Sequence, residues 1–379
     1  MLNQCLSFYK RHTLEDKDIV IAYSGGIDSQ VLLHLFATLA NKEAISSRIV
    51  AVHINHGLSQ FASEWARFAK LVCENLAIEF KELKVKVDGK GGIEAAARQA
   101  RYNAIAGFTQ PNSVVLTGHH LDDQAETLFL ALKRGAGVQG LSSMAELGNY
   151  PQNDFGKNLI VARPLLNFSR IEIEQYAKTF SLDWIEDDSN IDIRFDRNYL
   201  RHNILTSLKQ RWPSILNTVA RSAENCQESA SLLQEVALED LERVRLSGES
   251  LSIASLLSLS APRMNNALRY FLSGFVDEAP SKAVLAQIKN ILTAKEDKLP
   301  QVQIGNYWLR RHRDSLALTK TYEDLTNVSI DVEIKDRPIK VNLPDGLSPL
   351  ILTYGTQLEG ALKAPVEEKV CIRFAHANP

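Results

Sequence analysis

The sequence predicts an α/β protein: a doubly wound, mostly parallel sheet over residues 1–215, then a mainly helical domain, then a partial β-rich C-terminal module. Three observations lead there. Short apolar runs alternate with amphipathic helical patterns throughout the first part, as βαβ units do. The runs are continuous in Val and Ile, which marks strands covered on both faces. The polar residues able to do chemistry follow the runs, at the carboxyl ends where such sheets bind ligands.

The elements follow in order. The apolar runs are 18–23 (DIVIAY), 48–54 (RIVAVHI), 79–87 (EFKELKVKV), 113–117 (SVVLT) and 159–162 (LIVA). Helical patterns fill 28–40, 63–76, 93–108, 121–134 and 169–180, the last opened by a capping box of Ser169 and Glu172. After Pro213 the pattern changes. Residues 214–245 and 260–296 read as helices, and GNYWLRRHRDSLALTK as a strand pair turning at Arg313–Asp314. Residues 321–345 read as a linker, and EKVCIRF near the end as the opening strand of a β-rich module. The expected domains are therefore 1–215, 216–322 and 323–379.

Composition narrows the function classes. The chain has 379 residues, too many for one ordinary domain, and a formal net charge of −2. Any nucleic-acid contact must come from local basic patches. The four cysteines, Cys5, Cys73, Cys226 and Cys371, form no C-x-x-C pair, which argues against a disulfide framework or a zinc site. The start, MLNQCLSFYKRHTLEDKD, is mixed and charged rather than a signal peptide, and no apolar stretch is long enough to cross a bilayer. A soluble cytoplasmic protein is expected, without membrane contact or a dedicated protein partner; homodimer formation is left open.

The first strand runs into Ser24, Gly25, Gly26, Ile27, Asp28 and Ser29 just before a helix. Two glycines let backbone N–H groups close on an anion, two hydroxyls can bind phosphate oxygens, and the helix N-terminus adds positive potential. Helix capping explains one polar residue here, not the set. S-G-G-x-D-S arises by chance in roughly one chain in a thousand of this length. The loop is neither G-x-x-x-x-G-K-[ST], since it has no lysine, nor G-x-G-x-x-G.

Other loops join it. His53, Asn55 and His56 end the second strand, with structural and functional readings evenly balanced. His119, His120, Asp122 and Asp123 open the helix at 121–134; capping accounts for one aspartate, not for all four. Glu94, Arg98, Arg101 and Tyr102 share one helix face, as a surface ion pair or as phosphate ligands. Asp187 and Asn190 precede a basic run of Arg194, Arg197, Arg201, Lys209 and Arg211, with Asn198 inside it; it reads as solvated charge or as a phosphate-binding face that Lys133 and Arg134 extend. Arg310, Arg311, His312 and Arg313 beside Trp308 form a second such candidate.

SGG-x-DS after a first strand resembles the PP-loop ATP pyrophosphatases. VHINHGL (52–58), GIEAAARQARYNAI (92–105), LTGHHLDDQAETLFLALKRG (116–135), RPLL (163–166) and IEDDSNIDIRFDRNYLRHNILTSL (185–208) together resemble the tRNA(Ile)-lysidine synthase family. The resemblance implies a Rossmann-like PP-loop fold and a reaction. ATP activates C2 of the wobble cytidine in a CAU isoleucine anticodon, free L-lysine attacks, and AMP and pyrophosphate leave. On that basis Ser24 to Ser29, His53 and Arg98 are expected at ATP, and Asp28 at Mg²⁺. Asp28, Asp122, Asp123 and His119 are expected in catalysis, one aspartate serving Mg²⁺ and another the lysine ammonium. Asn55, His56, Glu94, Arg101, Tyr102, Lys133, Arg134, Asp187, Asn190, Arg194, Arg197, Asn198 and Arg201 are expected at substrate or tRNA. The alternatives are a PP-loop tRNA thiolase, an amide-forming synthetase and a non-catalytic ATP-dependent tRNA-binding protein.

Overall fold

The computed structural model describes residues 1–57, 61–86, 93–149, 159–186, 192–246, 249–276, 280–294, 300–320, 327–333, 339–344, 350–352 and 369–373. Two compact units divide the chain, Met1–Ser231 and Leu232–Pro379.

The first unit runs α1 (Leu2–Arg11), β1 (Asp18–Ala22), α2 (Ile27–Asn41), β2 (Ile49–Asn55), α3 (Ala62–Asn75), β3 (Glu79–Lys84), α4 (Ile93–Phe108), β4 (Ser113–Leu116), α5 (Leu121–Lys133), α6 (Val138–Leu141), β5 (Leu147–Asn149), β6 (Ile160–Ala162) and α7 (Arg170–Thr179). There follow α8 (Asp196–Tyr199), a turn of π-helix (Leu200–Ile204), α9 (Leu205–Arg211) and the start of α10 (Ile215–Val244). The sheet order is β3-β2-β1-β4-β6-β5, parallel except for β5. β5 is an antiparallel edge strand, Leu147 opposite Ala162, that the sequence pattern did not announce.

Strand alternation builds two cores. Ile19 and Ile21 of β1, Ile49 and Ala51 of β2, and Val114 and Leu116 of β4 face one side, against Leu32, Leu33, Phe36, Phe8 and Ile173. Val20, Val50, Val52 and Val115 face the other, against Ile105 and Ala106 of α4. β1 pairs with β2 on one side and β4 on the other. The chain first winds outward to β3, then returns to β4, so the direction reverses at β1 and β4. The loops leaving those two strands diverge, and the crevice between them is where a doubly wound sheet takes its ligand. A smaller cluster of Leu121, Ala125 and Leu128 with Leu205 and Leu216 fastens α9 to α5.

The second unit contains the rest of α10, β7 (Ser250–Ser252), α11 (Ile253–Ser258), α12 (Ala261–Ser273), α13 (Lys282–Thr293), β8 (Gln301–Ile304), β9 (Tyr307–His312) and β10 (Ser315–Lys320). Its antiparallel sheet has the order β7-β10-β9-β8. Arg311 is not offered to solvent as expected: its Nη1 donates to the carbonyls of Ile291, Leu292 and Ala294, closing the C-terminus of α13. Arg310 lies over Trp308, 5.9 Å from the ring centroid. The expected linker holds strands of its own. β11 (Ser329–Glu333) pairs with β14 (Lys369–Arg373), and β12 (Ile339–Val341) with β13 (Leu350–Leu352).

Leu33 is fully buried between α2 and the sheet. Leu33→Ala is expected to cost about 2–5 kcal/mol, read as a lower urea midpoint.

Candidate functional site

β1 delivers the chain into a loop that only glycine permits. Gly25 has φ +88°, and a Cβ there would stand 2.6 Å from Ile185 Cδ1. The Ile185 N–H donates to the Gly25 carbonyl at 2.9 Å, tying the segment after α7 onto the loop. Gly26 N-caps α2 in extended conformation. Ser29 Oγ donates to the Gly26 carbonyl at 2.9 Å and lies 3.1 Å from Ser24 Oγ, so both hydroxyls sit at the helix start. The first-turn N–H groups of α2 have no intrahelical acceptor, which makes this end an anion receptor. A third glycine is required across the crevice. A Cβ on Gly118 would lie 2.9 Å from the Asp28 carbonyl carbon and 3.1 Å from Ser29 N, so β4 ends in contact with the loop's backbone.

Around that contact stand four carboxylates. Asp28 accepts from Arg170 Nη1 at 2.9 and 3.0 Å. Asp122 accepts from Lys209 Nζ at 2.5 Å and from the Arg170 backbone N–H at 2.9 Å. Glu126, with no solvent exposure, accepts from Arg197 Nε at 2.6 Å and Arg201 Nε at 2.7 Å. Asp123 accepts from both of those arginines at 3.2 Å, and from the His120 backbone N–H at 3.0 Å. The His120 ring is buried in their midst. Its Nε2 lies 3.6 Å from Asp28 and 3.5 Å from Asp123, and its Nδ1 is 3.7 Å from Asp122.

The electrostatics follow from these pairs. Burial pushes the Asp28 carboxyl up, and His120 and Arg170 only partly offset it. Burial acts the same way on Asp122 and Asp123, but there the cations win. Lys209 and the Arg170 N–H hold Asp122 below the ordinary carboxylate range, and His120 with Arg197 hold Asp123 below it. His119 shares a 2.8 Å hydrogen bond with Thr117 Oγ1 and is pushed down to about 4, chiefly by burial. Arg163 and Arg98 add to that shift.

The remaining candidates fall into three groups. At the end of β2, His53 Nδ1 donates to the Tyr23 carbonyl at 3.0 Å, linking two strand ends. Asn55 bridges Glu82 at 2.8 Å and the Gly57 N–H at 3.0 Å, a turn-forming role. His56 Nδ1 is buried with no hydrogen-bond partner among the described residues, and burial followed by Arg101 lowers its pKa. On α4, Arg98 lies 4.9 Å from the Tyr102 ring centroid and is exposed, as is Arg101. Glu94's side chain, Asp187 and Asn190 lie outside the described residues.

The expected basic face is rearranged. Arg197, Arg201 and Lys209 turn inward onto Asp122, Asp123 and Glu126, because buried carboxylates demand paired cations. Arg194 closes on Asp192 two residues away, Asn198 Nδ2 donates to the Asp192 carbonyl, and Lys133 pairs with Asp196. Arg134 is exposed. Sequence reasoning missed Arg170 and Glu126 as site members. The one local signal was the capping box: Arg170 stands between Ser169 and Glu172, whose bonds fix where α7 begins.

Asp28 suits Mg²⁺, which usually takes one or two protein carboxylates and completes its shell with phosphates and water. Among the described residues no three His, Cys, Asp or Glu side chains are arranged so as to hold a metal ion by themselves. The buried Cys5 and Cys73 thiols are pushed up to about 12, away from the reactive thiolate.

Glu126→Ala should lower stability by about 3 kcal/mol by leaving Arg197 and Arg201 short of countercharge; urea unfolding measures it. His119 is neutral in the fold to about 4 but titrates near 6.5 when unfolded, so stability is full above 6.5 and falls as the pH drops toward 4. His119→Gln should flatten that fall, followed as melting temperature against pH; His53 and His56, lowered by burial, keep part of the slope.

The chain is similar to known proteins along most of its length. The PP-loop domain family matches residues 2–208, and the TilS substrate binding domain family matches 251–317. A tRNA(Ile)-lysidine synthase of Histophilus somni (strain 2336) is 39% identical over 386 residues, spanning 100% of this chain and 87% of that protein. One from Actinobacillus pleuropneumoniae serotype 3 (strain JL03) is 43% identical over 321 residues, spanning 84% and 74%. Among solved structures, the U34-tRNA thiolase NcsA from Methanococcus maripaludis aligns with 60% of this chain and 78% of its own, at 18% identity and a TM-score of 0.49. Identity of this order over nearly the whole length makes the chain a member of the tRNA(Ile)-lysidine synthase family.

Proposed function

We infer that this chain ligates free L-lysine to C2 of the wobble cytidine in the CAU anticodon of tRNA(Ile), consuming ATP. Family membership over nearly the full length carries the reading. The geometry agrees with it, since an anion-receptive loop and a buried set of carboxylates meet at one crevice.

The chemistry divides between the two sides of that crevice. The loop from Ser24 to Ser29 holds the triphosphate through hydroxyls, backbone N–H groups and the α2 dipole. Mg²⁺, held by Asp28, would neutralise phosphate charge when bound. The cytidine O2 attacks the α-phosphorus, the α–β bridge breaks, and pyrophosphate departs. The lysine ammonium gives up a proton to solvent, its amine adds at C2, the C2–O bond breaks, and AMP leaves with the oxygen.

Asp123 is assigned to the incoming ammonium. Its Oδ1 is held only by two 3.2 Å contacts, whereas Asp122 is gripped at 2.5 and 2.9 Å and has little left to offer. His119 is too weak a base to take the amine's proton and serves instead as a neutral hydrogen-bonding group oriented by Thr117. Arg101 and Tyr102, with Lys133 and Arg134, are assigned to the tRNA, and Arg98 to ATP. His53 stiffens the nucleotide side, and Asn55 and His56 shape the entry. The functional division follows the expected one: 1–215 for catalysis, 216–322 for tRNA contact and 323–379 for the terminal module. No helix among the described residues is long and apolar enough to cross a membrane, and work on tRNA belongs in the cytoplasm.

The test combines protein, ATP, Mg²⁺, labelled lysine and unmodified CAU-anticodon isoleucine tRNA. Label is expected to enter RNA with equimolar AMP and pyrophosphate, and to fail on CAU methionine tRNA. ATP-dependent pyrophosphate release without lysine incorporation would overturn the choice of second substrate. Asp28→Asn should slow pyrophosphate release by roughly 100-fold with the melting temperature little changed.

A further inference from the structure

Arg170 neutralises Asp28 and still has donors to spare. One edge of its guanidinium is fixed by Asp28, through Nη1 at 2.9 and 3.0 Å, and Nε donates to Glu174 at 2.9 Å. Its backbone N–H is fixed on Asp122 by the start of α7. The Nη2 donors have no partner among the described residues, and the side chain keeps 37% of its exposure. A guanidinium clamped at both Nε and Nη1 presents its Nη2 hydrogens already oriented for an oxyanion.

Its location says which oxyanion. Arg170 touches the second residue of α2, within the first turn, where the helix already presents positive potential. A guanidinium parked at a helix N-terminus is unfavourable unless anions share the space. Asp28 supplies one negative charge, and Arg170, His120 and the helix pole all face it. Asp28 and Glu174 engage Nη1 and Nε, so Nη2 is the donor left for a further anion beside the phosphate loop.

We propose that Arg170 binds the terminal phosphates of the nucleoside triphosphate, and the pyrophosphate they become, through its open Nη2 edge. The role rests on the reading of residues 24–29 as the nucleotide loop. It gives the leaving group a cation of its own, separate from the loop N–H groups and from Asp28. A phosphate of the RNA backbone has the same chemistry, and the comparison below separates the two sources.

The experiment measures binding by calorimetry, without turnover. The ligands are α,β-methylene ATP with Mg²⁺, inorganic pyrophosphate, AMP and unmodified tRNA, against wild type, Arg170→Gln and Arg170→Lys. In Arg170→Gln the ATP analogue and pyrophosphate should weaken at least tenfold, while AMP and tRNA stay within twofold. Arg170→Lys should recover part of the loss, since it keeps the charge and loses the fork. Unfolding midpoints of the unliganded proteins identify any variant that misfolds, and Arg170→Lys then decides alone. Unchanged affinity for the analogue, equal weakening of AMP, or a loss confined to tRNA would each overturn the assignment. A wild type that binds neither analogue nor pyrophosphate would overturn the nucleotide loop as well.

Discussion

The neutralisation of four acidic side chains organises the first unit. Asp28, Asp122, Asp123 and Glu126 gather at the crevice between the loops that leave β1 and β4, and water is largely excluded from three of them. An unpaired buried carboxylate is costly enough that the chain must supply a cation for each. It supplies Arg170 from α7, Lys209 from α9, Arg197 from α8 and Arg201 from the π-helical turn. Four negative and four positive groups then balance around His120. The later helices dock where they do because their cations are needed there, with the Leu121 and Leu205 contact adding apolar area.

A balanced network suits a ligase with charged substrates. On the proposed reading, a triphosphate and an ammonium would each meet a counter-ion already in place and would compete with a resident pair. Long contacts are the easiest to exchange, and the 3.2 Å contacts of Arg197 and Arg201 to Asp123 are the longest of the arginine and lysine hydrogen bonds to these four carboxylates. The short Lys209 contact keeps Asp122 as a fixed strut between α5, α7 and α9. Two neighbouring aspartates of identical chemistry are thereby held differently by their surroundings.

Much of this was legible in the sequence, and the division between read and unread is physical. S-G-G-x-D-S could be read because its meaning is local: a backbone turn, a cap and a helix start lie within six residues. The strands at 18–22 and 113–116 could be read because both faces are buried and the residues are correspondingly apolar. The inward turn of Arg197 and Arg201 could not. A basic run looks the same whether it meets solvent or a carboxylate more than 70 residues earlier in the chain. Arg170 was hidden for the same reason, its partner Asp28 standing 142 residues away. β5 was too short and too polar to register, since an edge strand of Leu-Gly-Asn has no periodicity to show.

The contact between Gly25 and Ile185 has a consequence for how the enzyme comes into being. A ribosome releases the loop at residues 24–29 long before it releases Ile185, Arg197 or Lys209. Until they emerge the loop lacks its covering side chain, and the acidic groups lack their cations. The early strands can pair, but the crevice carries uncompensated charge and stays open. The side chains that complete the crevice, from Arg170 to Lys209, are therefore available only late in synthesis.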